Sequence, residues 1–458
     1  MYLIFDTETT GLPRNWKAPI TDTDNWPRCV QIAWQLHDSM GVLIEHKDFL
    51  IKPDDFDIPY DAEKIHGIST DLAKLKGEKI IDVLNEFLKA LSKTDFLVGQ
   101  NVQFDINILA CEFHRNGIDV SKLTKLKRLD TCTEKTALLC KIPGGRGGKF
   151  KLPKLIELHK FLFNETFEEA HNATADVEAT TRCFFELIRL KHFTLDELLK
   201  DDDYYLEFSK SNPTSIEKIG LVHLNLKSEN KKIQDNISES KTVEINVDES
   251  VEILKDAPFS HLHNHTQYSV LQSTIEIDDL INKAYDYKMP AVAITDISNL
   301  FGAYKFINSI YNHPANQEII KYNKTSNSKK DFVLKGIIGS EIFVCKNHND
   351  KTKKDNGNSQ VFLVKNKKGY HNLSKMSSIS YTDGFYYVPR IDKSIIEKYK
   401  DGLIALSGGL RGEIADLILN VGEKQAEESI IWWKENFKDD FYIEILRHGL
   451  EEEKRLNE

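Results

Sequence analysis

The chain has 458 residues, 40% of them hydrophobic and 29% charged, with a formal net charge of −10. That length allows two to four domains. No apolar run nears the roughly 20 residues that a membrane span needs, and the acidity excludes a generally basic nucleic-acid coat, though not a local basic patch. Six cysteines without a CxxC pair fit free thiols in a reducing cytoplasm and exclude a disulfide framework or zinc knuckle. The opening "MYLIFD" has no basic n-region or cleavage pattern, so the expected location is the cytoplasm.

Residues 1–200 alternate two periodicities. "YLIF", "CVQIAWQLH" and "FLVGQN" read as strands, whereas "IIDVLNEFLKALSK" and "FDINILACEFHRNG" carry apolar residues three and four apart and read as helices, the second stopping at Gly117. The mix predicts an α/β or α+β domain.

The first strand runs straight into "DTETTG". Asp6 and Glu8 are two apart, so they share one face of the strand. Burying both is costly unless a cation cancels their charge. "GQNVQFD" sets Asp105 at the start of a helix, and "HNATAD" sets Asp176 at the start of another. His171, five residues before Asp176, does not share its helical face and is expected on the lead-in loop. Taken singly, Asp105 and Asp176 are ordinary helix caps and Asp-x-Glu an ordinary solvated turn. Taken together, four carboxylates meeting at one point would repel one another. Two Mg²⁺ or Mn²⁺ ions, hard cations about 4 Å apart, would relieve that repulsion and clamp a phosphate. A histidine nearby, titrating close to neutrality, suits a general base.

In order and spacing, these three motifs resemble those of the DEDD exonucleases, and the HxxxxD form of the third is that of the histidine-containing branch. The resemblance spans about residues 1–190 and implies a ribonuclease-H-like fold, a mixed sheet with flanking helices. It implies 3′→5′ hydrolysis of DNA, with Asp6, Glu8, Asp105 and Asp176 as metal ligands and His171 as base. The second motif departs slightly, reading Gln100-Asn101 where the family often has His-Asn. Between the second and third motifs, residues 122–160 hold eleven Lys or Arg against three acids. Arg146, Lys149, Lys151 and Lys154, around the flexible "GGRGG", are the expected contacts to a DNA backbone.

Residues 196–256 turn polar and weakly periodic and are read as a connecting segment, largely linker. Order resumes at "FSHLHNHTQYSVL". If this is a strand, His261, His263 and His265 share one face, a spacing suited to a transition metal. Strands such as "AVAITD", "GIIGSEIFV", "VFLVK" and "LIALSG" then alternate with helices such as "IDDLINKAYDYK", the rhythm of a distorted α/β barrel. Two Asn/Lys-rich stretches, "NQEIIKYNKTSNSKKD" and "KNHNDKTKKDNGNS", are expected to be surface loops.

The blocks from about 258 to 458 resemble the polymerase-and-histidinol-phosphatase (PHP) domains at the front of bacterial DNA polymerase III alpha subunits. The resemblance implies metal ligands at His263, His265 and Glu341. Other ligand positions of active relatives are changed, with Ile297, Gln272 and Gly409 in their place. A PHP metal is therefore expected to be absent or partial and the domain to be a scaffold. The expected organisation is a nuclease domain over 1–195, a connector over 196–256 and a PHP domain over 257–458, incomplete at its C-terminus. The chain would then be the N-terminal part of a longer polymerase. Its expected partners are a single-stranded primer 3′ end and, through the following part, replisome subunits such as the sliding clamp and clamp loader, with no membrane. The alternative is a freestanding nuclease in DNA repair or RNA processing whose PHP half is a phosphoesterase.

Overall fold

The computed structural model describes residues 1–167, 171–221, 223–241 and 257–457. They form two compact units, Met1–Thr242 and Val243–Glu458.

The first unit is built on β1 (Tyr2–Thr9), β2 (Cys29–His37), β3 (Leu43–Leu50), β4 (Phe96–Gly99) and β5 (Lys127–Asp130), in the spatial order β3-β2-β1-β4-β5. The β1–β2 and β2–β3 pairs are antiparallel, and β4 and β5 continue parallel from β1. This central strand is covered on both faces, which is why it reads as an unbroken apolar run. Leu3 and Phe5 face Phe87 of the helix Ile80–Leu91 and Leu109 of the helix Val102–Arg115. Tyr2 and Ile4 face Val177, Phe184 and Leu187 of the helix Ala173–Arg189. The strand continues through both carboxylates to Thr9, so Asp6 and Glu8 sit on ladder positions opposite Ala33 and Gln31.

The helix carrying Asp105 needs help at its start. Asn101 at its N-cap is left-handed (φ 66°) and offers no side-chain cap. Asp130, at the end of β5, supplies one from a distance, accepting from the Asn101, Val102 and Cys132 N–H groups at 2.8, 3.1 and 2.7 Å.

The first unit ends later than the sequence suggests. Residues 196–241 contain the helices Tyr204–Ser211 and Leu226–Lys241. Leu226 is buried among Val30, Ile58, Ala62, Ile68 and Leu72, and Ile233 packs against the same cluster. Asn230 Nδ2 donates to Glu63 Oε1 at 2.8 Å. Two apolar anchors seven residues apart are too sparse to register as a helical period, so the stretch passes for linker. Residues 242–256 of the expected linker lie outside the described residues.

The second unit holds β6 (Ala291–Ile294), β7 (Lys335–Val344), β8 (Asn358–Val364), β9 (Arg390–Ile391), β10 (Leu403–Leu406) and β11 (Phe441–Tyr442). Its mixed sheet runs β11-β10-β8-β7-β6, with β9 beside β7. Both units are thus α/β. Two expectations fail here. No strand is assigned over 257–266, so the histidine alternation is not that of a ladder. In the first Asn/Lys-rich stretch, residues 316–325 belong to the helix Pro314–Thr325, and only the remainder is a loop. Buried Asn316 secures the start of the helix, donating to the Ile310 and Leu334 carbonyls at 2.9 Å each. The second Asn/Lys-rich stretch is a loop, but buried Arg390 gathers its His348, Asp350 and Asp355 carbonyls.

Replacing Asp130 with Ala is expected to cost about 1–2 kcal/mol, the upper range of a lost helix cap. The midpoint shift in urea, at unchanged m-value, measures it.

Candidate active site and a second histidine cluster

Asp6 and Glu8 leave the face of β1 against which the helix Ala173–Arg189 packs, and Asp176 stands in the first turn of that helix. Asp105 comes from the helix after β4, whose start lies beside the same strand end because β4 runs parallel to β1. It is 3% exposed, and its Oδ1 accepts from Thr7 N–H at 3.0 Å and the Thr7 hydroxyl at 2.7 Å. The residue between the two strand carboxylates therefore holds the third. His171 lies outside the helix at φ 73° and donates its backbone N–H to Asp176 Oδ2 at 3.1 Å. Potential ligand atoms of Glu8, His171 and Asp176 lie within 4.8 Å of one another.

The electrostatics tie all four acids into one set. Burial, then the charges of Asp105, Asp176 and Glu8, raise the Asp6 carboxyl well above the ordinary range. Burial, then Asp176 and Asp105, do the same to Glu8. Burial brings Asp105 to about 7 against the bonds from Thr7, and Asp176 to about 7 against the bond from His171. These are acid oxygens held together without a cation among the charges that act on Asp6 and Glu8. That donor set fits hard divalent ions such as Mg²⁺ or Mn²⁺.

His171 is exposed. Partial desolvation, then Lys227 and Lys154, lower its pKa, which keeps the imidazole neutral at pH 7. Beside it lies His66, which the motifs did not mark. Burial first, then the nearby His171 and Lys227, bring its pKa to about 4. Its Nδ1 accepts from Ile68 N–H at 3.0 Å, so the proton sits on Nε2. The signal available was "IHGI", a helix end closed by the left-handed Gly67.

The expected DNA contacts are spread unevenly. Lys149 pairs with Glu134 at 3.2 Å and Lys151 with Glu157 at 2.6 Å. Lys154 is the one whose charge reaches His171. The Arg146 side chain lies outside the described residues.

In the second unit, His263, His265 and Glu341 come together and His261 does not. Glu341 Oε2 accepts from His263 Nε2 at 2.9 Å and from His265 Nε2 at 2.7 Å, while His263 Nδ1 faces Glu444 Oε1 at 2.8 Å. Glu444 was missed because nothing local in "FYIEIL" sets it apart. The bonds to Glu341 and Glu444 overcome the effect of burial and push His263 up to about 9, and Glu341 is driven well below the carboxylate range. Asp296 accepts from Thr266 N–H, the Thr266 hydroxyl and the Ser269 hydroxyl at 2.7, 2.8 and 2.7 Å. With Ile297, Gln272 and Gly409 at the other positions, the donors fit one ion at most and not a multinuclear site.

Two pH dependences follow. Asp105 and Asp176 titrate near 7 when folded and near 3.8 when free, so the folded state binds more protons in between. Stability of the first unit should fall as pH rises from about 4 to about 7. Mg²⁺ should restore it, with a larger rise in melting temperature at pH 8 than at pH 5. In the second unit, the Glu341 contribution is present above about 4.5 and lost on acidification. The His263 contribution is full below 6.5 and lost as pH rises through about 9. Melting scans between pH 6.5 and 9 should show the second decline in the native chain and not in His263→Gln.

The chain matches the family model for Exonuclease over residues 3–184 and that for the PHP domain over residues 261–448. Curated relatives include the DNA polymerase III subunit alpha of Borreliella burgdorferi, 40% identical over 204 residues, which are 44% of this chain and 16% of that one. The subunit of Chlamydia trachomatis is 37% identical over 197 residues, 42% of this chain and 14% of that one. The chain thus spans about one-sixth of the length of these relatives. Among solved structures, the zinc-bound complex of E. coli exonuclease I with single-stranded DNA is 25% identical and covers 43% of this chain and 42% of its own, with a TM-score of 0.35. The chain thus carries a region matching the Exonuclease family ahead of one matching the PHP domain, and over less than half of its length it is similar to bacterial DNA polymerase III alpha subunits.

Proposed function

We propose that the first unit removes nucleotides from the 3′ end of a single-stranded DNA primer, releasing deoxynucleoside monophosphates, and proofreads in cis for a replicative polymerase III alpha subunit. The meeting of Asp6, Glu8, Asp105 and Asp176 beside His171 is the observation that carries this reading. The four carboxylates would hold two Mg²⁺ or Mn²⁺ ions. Such ions, when bound, supply Lewis acidity to a water and to the departing 3′ oxygen. The neutral imidazole of His171 takes the proton from the attacking water as its oxygen bonds to phosphorus and the P–O3′ bond breaks. The Asp176 carboxylate fixes the lead-in loop through the His171 N–H, and Thr7 fixes Asp105. Lys154 lies on the histidine side of the site and binds strand phosphate there. Arg146, Lys149 and Lys151 would contribute farther along, the two lysines by exchanging Glu134 and Glu157 for phosphates.

The PHP unit acts as a scaffold, its remaining donors bonded to one another. The sliding clamp and clamp loader would be met by other parts of a longer polymerase in the cytoplasm. A phosphoesterase reading of this unit is disfavoured by the loss of ionisable groups at 297, 272 and 409.

On a 3′-mismatched primer with Mg²⁺, His171→Ala should lower kcat by about 10²–10⁴-fold, the range for a lost general base. Asp176→Asn, or EDTA with the native chain, should abolish digestion. Equal digestion by the native chain and Asp176→Asn would overturn the proposal.

A further inference from the structure

The stretch after the helix Ala173–Arg189 returns along that helix and ends over the catalytic loop. The Ile216 carbonyl accepts from Arg182 Nε at 2.7 Å, and Ile216 N–H donates to Glu186 at 3.1 Å. Leu221 N–H donates to Glu178 at 3.2 Å, and the Leu224 carbonyl accepts from Asn172 Nδ2 at 3.1 Å. These anchors follow the helix from Glu186 to Arg182 and Glu178, each four residues apart, and on to Asn172 at its N-cap. The last is the neighbour of His171. The chain then enters the helix Leu226–Lys241, whose first residue is buried and whose Asn230 holds Glu63. Lys227 is thereby fixed on both sides.

Its stem crosses the turn after His66. A Cβ added to Gly67 would stand 2.6 Å from Lys227 Cγ and 3.1 Å from the Lys227 backbone nitrogen. Gly67 also has φ +78°, so the turn needs glycine for its own conformation and for the passage of this segment. Lys227 is exposed. Its charge acts on His66 and His171, and Lys154 acts on His171 from another element. The charges that weigh most on Asp6 and Glu8 are the other acids, not Lys227. The Lys227 stem, packed on Gly67 beside His66 and three residues after the Leu224 carbonyl held by Asn172, is thus placed on the histidine side of the site.

We infer that residues 212–221 and 223–233 form a strap that completes the nuclease site, and that Lys227 binds, together with Lys154, a phosphate of the DNA strand entering it. This rests on the exonuclease reading above. A phosphate held by two ammonium groups gains charge-assisted contacts. Neither lysine could supply that pair alone, because one belongs to the basic segment and the other to the strap.

The test uses the full chain and a fluorescent single-stranded oligo-dT. Binding is measured in EDTA across a salt series, and digestion is measured with Mg²⁺. Lys227→Ala should weaken binding about three- to tenfold and reduce the slope of log affinity against log salt by about 0.7, one phosphate contact on a single strand. The KM should rise by more than kcat falls, and Lys227→Arg should restore both binding and slope. Lys227→Glu should bind more weakly than the alanine variant while melting at the same temperature, which separates charge from folding. Unchanged affinity and slope in Lys227→Ala would overturn the inference, as would an arginine variant as weak as the alanine one. Native chain that digests the oligonucleotide while Lys227→Ala binds it equally well would sink the strap's role alone. Native chain that neither digests nor binds it would sink both this inference and the exonuclease reading.

Discussion

Mutual repulsion among four acids gathered at one strand end is the constraint on which the nuclease unit is organised. Two come from one strand and two from helices on opposite faces of the sheet; burial raises all four, and the other acids raise Asp6 and Glu8 further. Nothing in the hydrophobic core requires them to meet. The fold spends core stability to hold them in place, and the arrangement makes sense only with cations that convert repulsion into a binding site.

The supports of that site are polar and long-range. Asp130 closes the helix of Asp105 from the edge strand, and Thr7 holds the Asp105 carboxyl from the central one. The N–H of His171 grips Asp176 while the loop residue itself sits in a left-handed conformation. The second unit solves a related problem in the opposite way. There, His263 lies between Glu341 and Glu444, so the acids are neutralised by a side chain. One cluster is left short of positive charge and the other supplies its own.

The parts legible in the sequence are those with local causes. The central strand, the two helices against it and the five candidate residues could be read because period and motif lie within a dozen residues. Glu444, His66 and Lys227 could not, since each matters only for what the fold places beside it. The helix Pro314–Thr325 looked like a loop because it is held by one buried asparagine and not by an apolar stripe. His261 was grouped with His263 and His265 on an alternation that requires a strand, and that segment is not one. The connector was misread for the same reason as the asparagine-anchored helix, since two anchors do not make a pattern.

The cluster of Val30, Ile58, Ala62, Ile68 and Leu72 has its lid in Leu226 and Ile233. A nuclease fragment cut where family similarity ends, near residue 184, would lay that apolar floor open to water. Such a fragment would be sticky and less stable despite keeping every acid of the site. The smallest autonomous unit is defined by what covers its core, and here that cover is coded at Leu226 and Ile233, well beyond the last recognisable motif at 171–176.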